Sequence, residues 1–248
     1  MSALFDLDLP FDDDYRHFHA PYLTAEQDDA DAALIAECLQ LAAGDTVLDV
    51  ACGHGRIANR LAAIGCRVTG LDRSAGFLDH ARGDAAARGV APLWLEADMR
   101  RLSLVEEFDA ALMWFTSFGY FDDATNRDVL LRLRRALRPG GRVLVETSNL
   151  FHAALDQQAW QVRQIGGDLM IDHSQYDPVS GRQCVERTIQ RQGMPQRRFG
   201  FAVRLFSPPE LIGWLEQVGF ADVEALGGDG EPFQIDSDRL ILVARRPG

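Results

Sequence analysis

Residues 46–56 read Thr46-Val47-Leu48-Asp49-Val50-Ala51-Cys52-Gly53-His54-Gly55-Arg56. The apolar run from Thr46 to Val50 has the length and composition of a short buried strand. It breaks into Gly53 and Gly55, and a helical pattern follows at once, with Ile57, Leu61 and Ile64 on one face. A strand, a glycine turn and a helix N-terminus let backbone approach a ligand closely, because glycine has no Cβ in the way. Gly53-x-Gly55-x-x-Ala58 fits the dinucleotide fingerprint in its alanine variant, and Asp72 follows about 20 residues on, at the end of the next strand. Taken alone, that pattern would point to NAD.

Working outward, the chain continues as alternating strands and helices. The spacing predicts a second strand over Cys66–Leu71 and a helix capped by Ser74, with Phe77, Leu78 and Ala81 facing inward. It predicts a third strand over Leu93–Ala97 and a fourth over Phe108–Trp114, a nearly continuous apolar run of the kind covered on both faces. Asp122 or Asp123 opens a helix with Val129, Leu130, Leu133 and Leu137; Gly140-Gly141 closes it, and a fifth strand follows over Arg142–Glu146. Upstream, Thr24-Ala25-Glu26-Gln27 reads as a capping box starting a helix that runs to Leu41. Residues 1–23 are acidic and aromatic, with Phe11, Tyr15, Phe18 and Tyr22, so this segment is expected to fold over something.

From Asn149 the period changes. A short helix over Leu150–Trp160 leads to strands at Leu169–Tyr176, Arg182–Gln190 and Arg197–Phe206, with a turn at Asp177-Pro178-Val179-Ser180-Gly181. This small antiparallel sheet either closes over the pocket or forms a dimer surface. Ser207-Pro208-Pro209-Glu210 starts a last helix that Gly219 ends, and Phe220–Leu226 and Arg239–Ala244 supply two final strands. The expected division is a lid segment and helix over 1–45, a nucleotide-binding core over 46–148, an inserted cap over 149–206, and a return to the core sheet over 207–248.

Three features separate this chain from a plain NAD site. Asp49 precedes the turn inside the strand, Asp98 ends the third strand, and Leu137-Arg138-Pro139-Gly140-Gly141 precedes the fifth. In this order the set resembles the class I S-adenosylmethionine (SAM) dependent methyltransferases, from about Thr46 to Ser148 and more loosely to the C-terminus. The resemblance implies an α/β fold: a Rossmann-like, doubly wound sheet of seven strands whose last strand inserts antiparallel. It implies SAM as cofactor and methyl transfer to N or O, less readily C, of a small-molecule acceptor. It places Ala51, Gly53 and Gly55 against the methionine and ribose, Asp49 near the ammonium, Asp72 on the ribose hydroxyls, Arg73 beside the adenine, Asp98 on its exocyclic amine and the Met99 backbone on a ring nitrogen. Arg56 is either a carboxylate ligand or a surface arginine. The resemblance further implies that Trp114 and Phe115 border the sulfonium, and makes Tyr15, His19, Tyr22 and Tyr120 candidate substrate or lid residues. If the acceptor must lose a proton, the candidate bases are His17, His19, His152, His173 and Tyr120, with His152 preferred because it follows the fifth strand. Three rivals stay open: a SAM enzyme that cyclises or cleaves its cofactor, an NAD-dependent oxidoreductase, and a binding module without activity.

Composition narrows the partners. The chain has 248 residues, 47% of them apolar, enough for a sizeable core. A net charge of −12 argues against a phosphate-driven nucleic-acid partner. The cations are all arginine. The four cysteines Cys38, Cys52, Cys66 and Cys184 form no CxxC pair and follow no signal segment, which predicts reduced thiols and a cytoplasmic protein. No apolar run reaches the roughly 20 residues that span a bilayer, and no His/Cys cluster has metal-ligand spacing.

Overall fold

The computed structural model describes residues 10–155 and 160–248. The first nine residues of the acidic, aromatic segment and residues 156–159 of the helix expected over 150–160 lie outside the described residues.

Five parallel strands, β1 (Thr46–Val50), β2 (Arg67–Asp72), β3 (Leu93–Glu96), β4 (Phe108–Met113) and β5 (Leu137–Ser148), alternate with helices α3 (Arg56–Ala63), α4 (Ala75–Arg88) and α5 (Asp123–Ala136). Ahead of them come α1 (Asp13–His19) and α2 (Ala25–Leu39). The strands lie in the order β3-β2-β1-β4-β5, so the winding reverses between β1 and β4. Beside β5 the sheet is completed by β11 (Arg239–Arg245), antiparallel, and then β10 (Ala221–Leu226). This is the seven-stranded, doubly wound sheet expected, with its last strand inverted.

Alternation along the strands builds a core on each face of the sheet. Leu48 and Val50 pack with Val129, Leu130 and Leu133 of α5 and with Leu211, Trp214 and Leu215 of α7 (Pro208–Gln217). Val47 points the other way, toward Ile35 and Leu39 of α2 and Ile57 and Leu61 of α3. Ile64 departs from the predicted face: α3 ends at Ala63, and the side chain is 54% exposed. Thr24 caps α2 by accepting from the Gln27 N–H at 3.2 Å, but the Gln27 amide turns to Asp31 at 3.1 Å, so only half of the capping box forms. Helix α5 closes at Ala136, before the glycines, and β5 already runs from Leu137. Gly141 therefore sits inside a strand, where a Cβ would meet the carbonyl oxygens of Arg138 at 2.9 Å and Asp109 at 3.0 Å.

After α6 (Leu150–Leu155) comes a separate antiparallel sheet of β6 (Trp160–Ile165), β7 (Asp168–Asp177), β8 (Arg182–Gln190) and β9 (Arg197–Arg204). It has four strands where three were expected. The missed strand, β6, is an edge with Trp160 and Val162 exposed, so it lacks the buried alternation that marks a strand in sequence. One face of this sheet receives α1: Phe18 packs on Met170 and Ile189, and the buried Asp14 accepts from Arg191 at 3.0 Å and Arg197 at 2.5 Å.

Asn149, immediately after β5, ties the end of that strand to the connection between β10 and β11. Its amide donates to the carbonyls of Ile235 at 3.0 Å and Ser237 at 2.7 Å. Asn149→Ala would leave two carbonyls unpaired, and is expected to lower stability by about 1–3 kcal/mol. Urea unfolding monitored by circular dichroism would read this as a lower midpoint at unchanged slope; an unchanged midpoint would assign the pair no net weight.

Candidate functional site

One concave site lies where the sheet order reverses, outside the carboxyl ends of β1, β2, β3 and β4. Open α/β sheets bind ligands at that point. Its floor is the glycine turn. Ala51 and Gly53 adopt positive φ, 59° and 55°, and the Gly53 N–H donates to Asp72 Oδ2 at 2.8 Å. Asp72 Oδ1 accepts from the Ser74 N–H, also at 2.8 Å. One carboxylate thus links the turn after β1 to the turn after β2, while each oxygen keeps a further lone pair. Burial pushes the Asp72 carboxyl up, against the hydrogen bonds from Ser74 and Gly53. Gly55 does not line the pocket. Its N–H is used by the Cys52 carbonyl at 3.0 Å, and a Cβ there would stand 2.7 Å from both Ala81 Cβ and Trp94 Cη2. Its function is close packing of α3 on α4 and β3.

Asp49 lies at the end of β1 and is 3% exposed. Burial pushes its carboxyl up to about 7, with Arg56 pulling it down and Asp72 pushing it further up. Arg56 is the residue that sequence reasoning left undecided. It is buried, and its Nη1 bonds Asp28 Oδ1 at 2.9 Å and Asp31 Oδ2 at 3.0 Å, both on α2. Asp31 also accepts from Trp114 Nε1 at 3.0 Å. The second terminal nitrogen of the Arg56 guanidinium, Nη2, is buried with no hydrogen-bond partner. An arginine held by two carboxylates from a helix 25 or more residues upstream leaves no trace in local periodicity.

Arg73, Asp98 and Met99 line the side near β2 and β3. Asp98 caps a short 3-10 turn by accepting from the Arg100 N–H at 2.9 Å. The Arg100 guanidinium, which also bonds it, holds its carboxyl below the usual range. Trp114, Phe115, Thr116 and Ser117 form the opposite side, after β4. Phe115 and Thr116 have positive φ, 62° and 53°, and the buried Glu146 accepts the Thr116 N–H at 2.6 Å. The Arg56 guanidinium sits 4.7 Å over the Phe115 ring.

Of the predicted covering residues, Tyr15 and Tyr120 line the site, and Phe11 bridges them with ring centroids at 5.5 and 5.3 Å. His19 stands one layer behind, stacked on Tyr15 at 4.1 Å. Tyr22 falls away: it is 61% exposed and meets Arg163. Burial raises the hydroxyls of Tyr15 and Tyr120, and lowers His19 and His54 to about 4, so both imidazoles are neutral at pH 7.

The structure places His152 outside this site. After β5 comes α6, and at the end of that strand Ser148 Oγ and Thr116 Oγ1 are hydrogen-bonded at 3.1 Å. His152 instead lines a separate cavity on the far side of that pair. His17 and His173 are also elsewhere, beside Asp168 at 3.0 Å and stacked on Trp160 at 4.3 Å.

A family model described as a methyltransferase domain matches residues 47–141. The cypemycin N-terminal methyltransferase of a Streptomyces species is 26% identical over 208 residues, 82% of this chain and 84% of that protein. Other curated methyltransferases at 30–34% identity are matched over less than half of their own length. Among solved structures, a S-adenosylmethionine-dependent methyltransferase from Clostridium acetobutylicum superposes with a TM-score of 0.79 at 15% identity, covering 95% of this chain and 99% of that one. SAM-bound CalS10 of Micromonospora echinaspora, an amino pentose methyltransferase, gives a TM-score of 0.69 at 20% identity, covering 95% and 97%.

Proposed function

We propose that this chain, which belongs to the class I SAM-dependent methyltransferases, transfers the methyl group to a nitrogen of a small-molecule amine. The family sets aside the NAD reading of the glycine turn.

The residues of the pocket fit SAM. The buried, unpartnered Nη2 of Arg56 is a donor suited to the carboxylate, and Asp49 is a carboxylate suited to the ammonium. Asp72 keeps the two acceptors that a ribose diol requires. Asp98 and the Met99 backbone line the pocket with groups suited to an adenine edge, and Arg73 lines it too. Gly53 presents bare backbone between them. When bound, SAM supplies an electrophilic methyl group on a sulfonium. The chain's own residues would orient it and exclude water, and Trp114, Phe115 and Tyr120 would supply aromatic groups suited to a positive charge.

One observation carries the choice of nitrogen. Four groups in or beside the pocket are held in the neutral form: the hydroxyls of Tyr15 and Tyr120 are raised, and His19 and His54 are lowered, all chiefly by burial. An acceptor entering this environment feels the same push. An ammonium is driven to the neutral amine, which carries the nucleophilic lone pair. A phenol or alcohol is driven toward the protonated form, which is the poorer nucleophile. The pocket therefore prepares an amine without a dedicated base, consistent with His152 lying elsewhere. The names of the cypemycin and amino pentose enzymes also refer to amine-bearing acceptors. The four unpaired cysteines support a reducing, cytoplasmic setting.

The test is to incubate the protein with SAM and paired acceptors, each an amine and its hydroxyl analogue, and to read S-adenosylhomocysteine release and product mass. Methylation of the amines alone supports the reading. Methylation of the hydroxyl partners alone overturns it, and SAM consumed with no acceptor present would mean cofactor cyclisation or cleavage.

A pH dependence follows from Asp49. Its carboxyl, near 7 in the protein without cofactor, must ionise to receive the ammonium. Affinity for S-adenosylhomocysteine is thus expected to be highest above about pH 7 and to fall with acidification, approaching tenfold per pH unit. Calorimetry at pH 5.5, 6.5 and 8 would show this, and Asp49→Asn would flatten the profile. A flat profile in the unmodified protein would remove Asp49 from the ammonium.

A further inference from the structure

Beyond the Thr116–Ser148 hydroxyl pair lies the second cavity, of about 330 Å³, at the low end of the roughly 300–1,000 Å³ of small-molecule sites. Ser148 and His152 form its floor; Gln161, Asp172, Ser174 and Gln183 form its wall. The wall is one face of the four-stranded sheet. Register pairs Gln161 with Asp172 across β6 and β7, and Ser174 with Val185 across β7 and β8, and side-chain alternation keeps Asp172 with Ser174 and Gln183 with Val185 on that face.

The chemistry of this wall selects its ligand. Asp172 is neutralised by Arg187 at 2.7 and 2.8 Å and by Arg163 at 3.3 Å. The hydroxyls of Ser148 and Ser174, the amides of Gln161 and Gln183 and the His152 imidazole each offer both a donor and an acceptor. An apolar group would leave these unpaired, and an anion would face the carboxylate of Asp238. A neutral group rich in hydroxyls, as on a sugar or cyclitol ring, matches donor for acceptor.

The cavity and the cofactor pocket share one partition. Thr116 lines the pocket, Ser148 lines the cavity, and their oxygens are 3.1 Å apart. We propose that the polar cavity binds the polyhydroxylated part of the acceptor, whose amine reaches the methyl group past the Thr116–Ser148 pair. This deepens, and rests on, the amine-acceptor reading above. It gives the antiparallel sheet the task of choosing the acceptor while the seven-stranded sheet holds the cofactor.

The experiment is saturation-transfer NMR on the full chain with S-adenosylhomocysteine present. The probes are the methyl glycosides of glucose, xylose and rhamnose, which have hydroxyls and no amine. At least one is expected to receive saturation from the unmodified protein, and Gln183→Leu/Ser174→Val is expected to reduce that signal at least fivefold. Retained affinity for S-adenosylhomocysteine shows that the variant is folded; should the double variant not fold, Ser174→Ala alone is read for a loss of at least twofold. No signal from any glycoside, or a signal the substitutions leave unchanged, overturns the proposal. Glycoside binding that the substitutions abolish, with no amine methylated by the unmodified protein, would uphold the cavity and reject the amine acceptor, so the two readings fail separately.

Discussion

Asp72→Ala is expected to raise the dissociation constant for S-adenosylhomocysteine at least 100-fold. The side chain offers two acceptors to a ribose diol, and hydrogen bonds to a charged group contribute about 1.5–3 kcal/mol each. The same carboxylate also holds the glycine turn, through the Gly53 N–H at 2.8 Å, and the start of α4, through the Ser74 N–H at 2.8 Å. Alanine would therefore remove the ligand's acceptors and leave two backbone donors without their partner. Asp72→Asn separates these effects. Its remaining carbonyl oxygen can keep one backbone bond, but its amide is a donor toward the ribose, so affinity should fall while thermal stability is largely kept. Calorimetry beside thermal melts reads both quantities. A change in affinity of less than threefold in Asp72→Ala would remove this residue from the ribose site.

Arg56→Met is expected to have the largest effect on stability, a loss of about 3 kcal/mol or more, as when one partner of a buried ion pair is removed. Asp31 shows why. Burial pushes its carboxyl up, but the hydrogen bonds from Arg56, Trp114 and Gln27 outweigh that and hold it below its usual range. Without the guanidinium, Asp31 keeps only the indole and amide bonds and a more distant Arg239 at 3.7 Å, while Asp28 retains Arg60 at 3.2 Å. The remaining strain should appear as pH dependence. The depressed carboxyl of Asp31 stabilises the fold above its unfolded pKa, and this contribution is lost as pH falls through the folded value. Arg56→Met should weaken that acid sensitivity as well as the stability. It should also lower affinity for S-adenosylhomocysteine at least tenfold, because Nη2 is the donor proposed for the carboxylate. Arg56→Lys keeps the charge but not the fork, so it should recover part of the stability and less of the affinity. A variant as stable as the parent would show that the Asp28–Arg56–Asp31 cluster has no net weight.

The core of the fold was legible in sequence because its signals are local. Strand β1 was read from five consecutive residues, Thr46–Val50, and its glycine turn from the next five. Asp72 and Asp98 stood out because strand ends mark the edge where open sheets bind ligands, and both line the pocket. What the sequence left open or placed elsewhere depends on distant partners. Arg56 was indistinguishable from a surface arginine until two acids of α2 were seen beside it. Gly55, read as a ligand-facing glycine, turns inward because Trp94 and Ala81 occupy the volume a Cβ would need. Strand β6 was hidden because an edge strand exposed on one face has no hydrophobic period. His152, favoured for its place after β5, lines the second cavity and not the pocket at the sheet reversal.

By itself, then, the sequence determined the order of strands, the glycine turn and the acids at strand tips, because each depends on residues within one or two turns of chain. Tertiary structure alone decided which of those groups meet. It braced Asp72 against Gly53, buried Asp49 until its carboxyl titrates near 7, and left one nitrogen of Arg56 unpartnered at the pocket. It also set the antiparallel sheet beside a second, polar cavity, lined by Ser148, whose hydroxyl bonds Thr116 of the cofactor pocket. Burial and charge are properties of the assembled neighbourhood. A group's desolvation and its partners come from residues far apart in the chain, so its chemistry is set only when the chain closes around it.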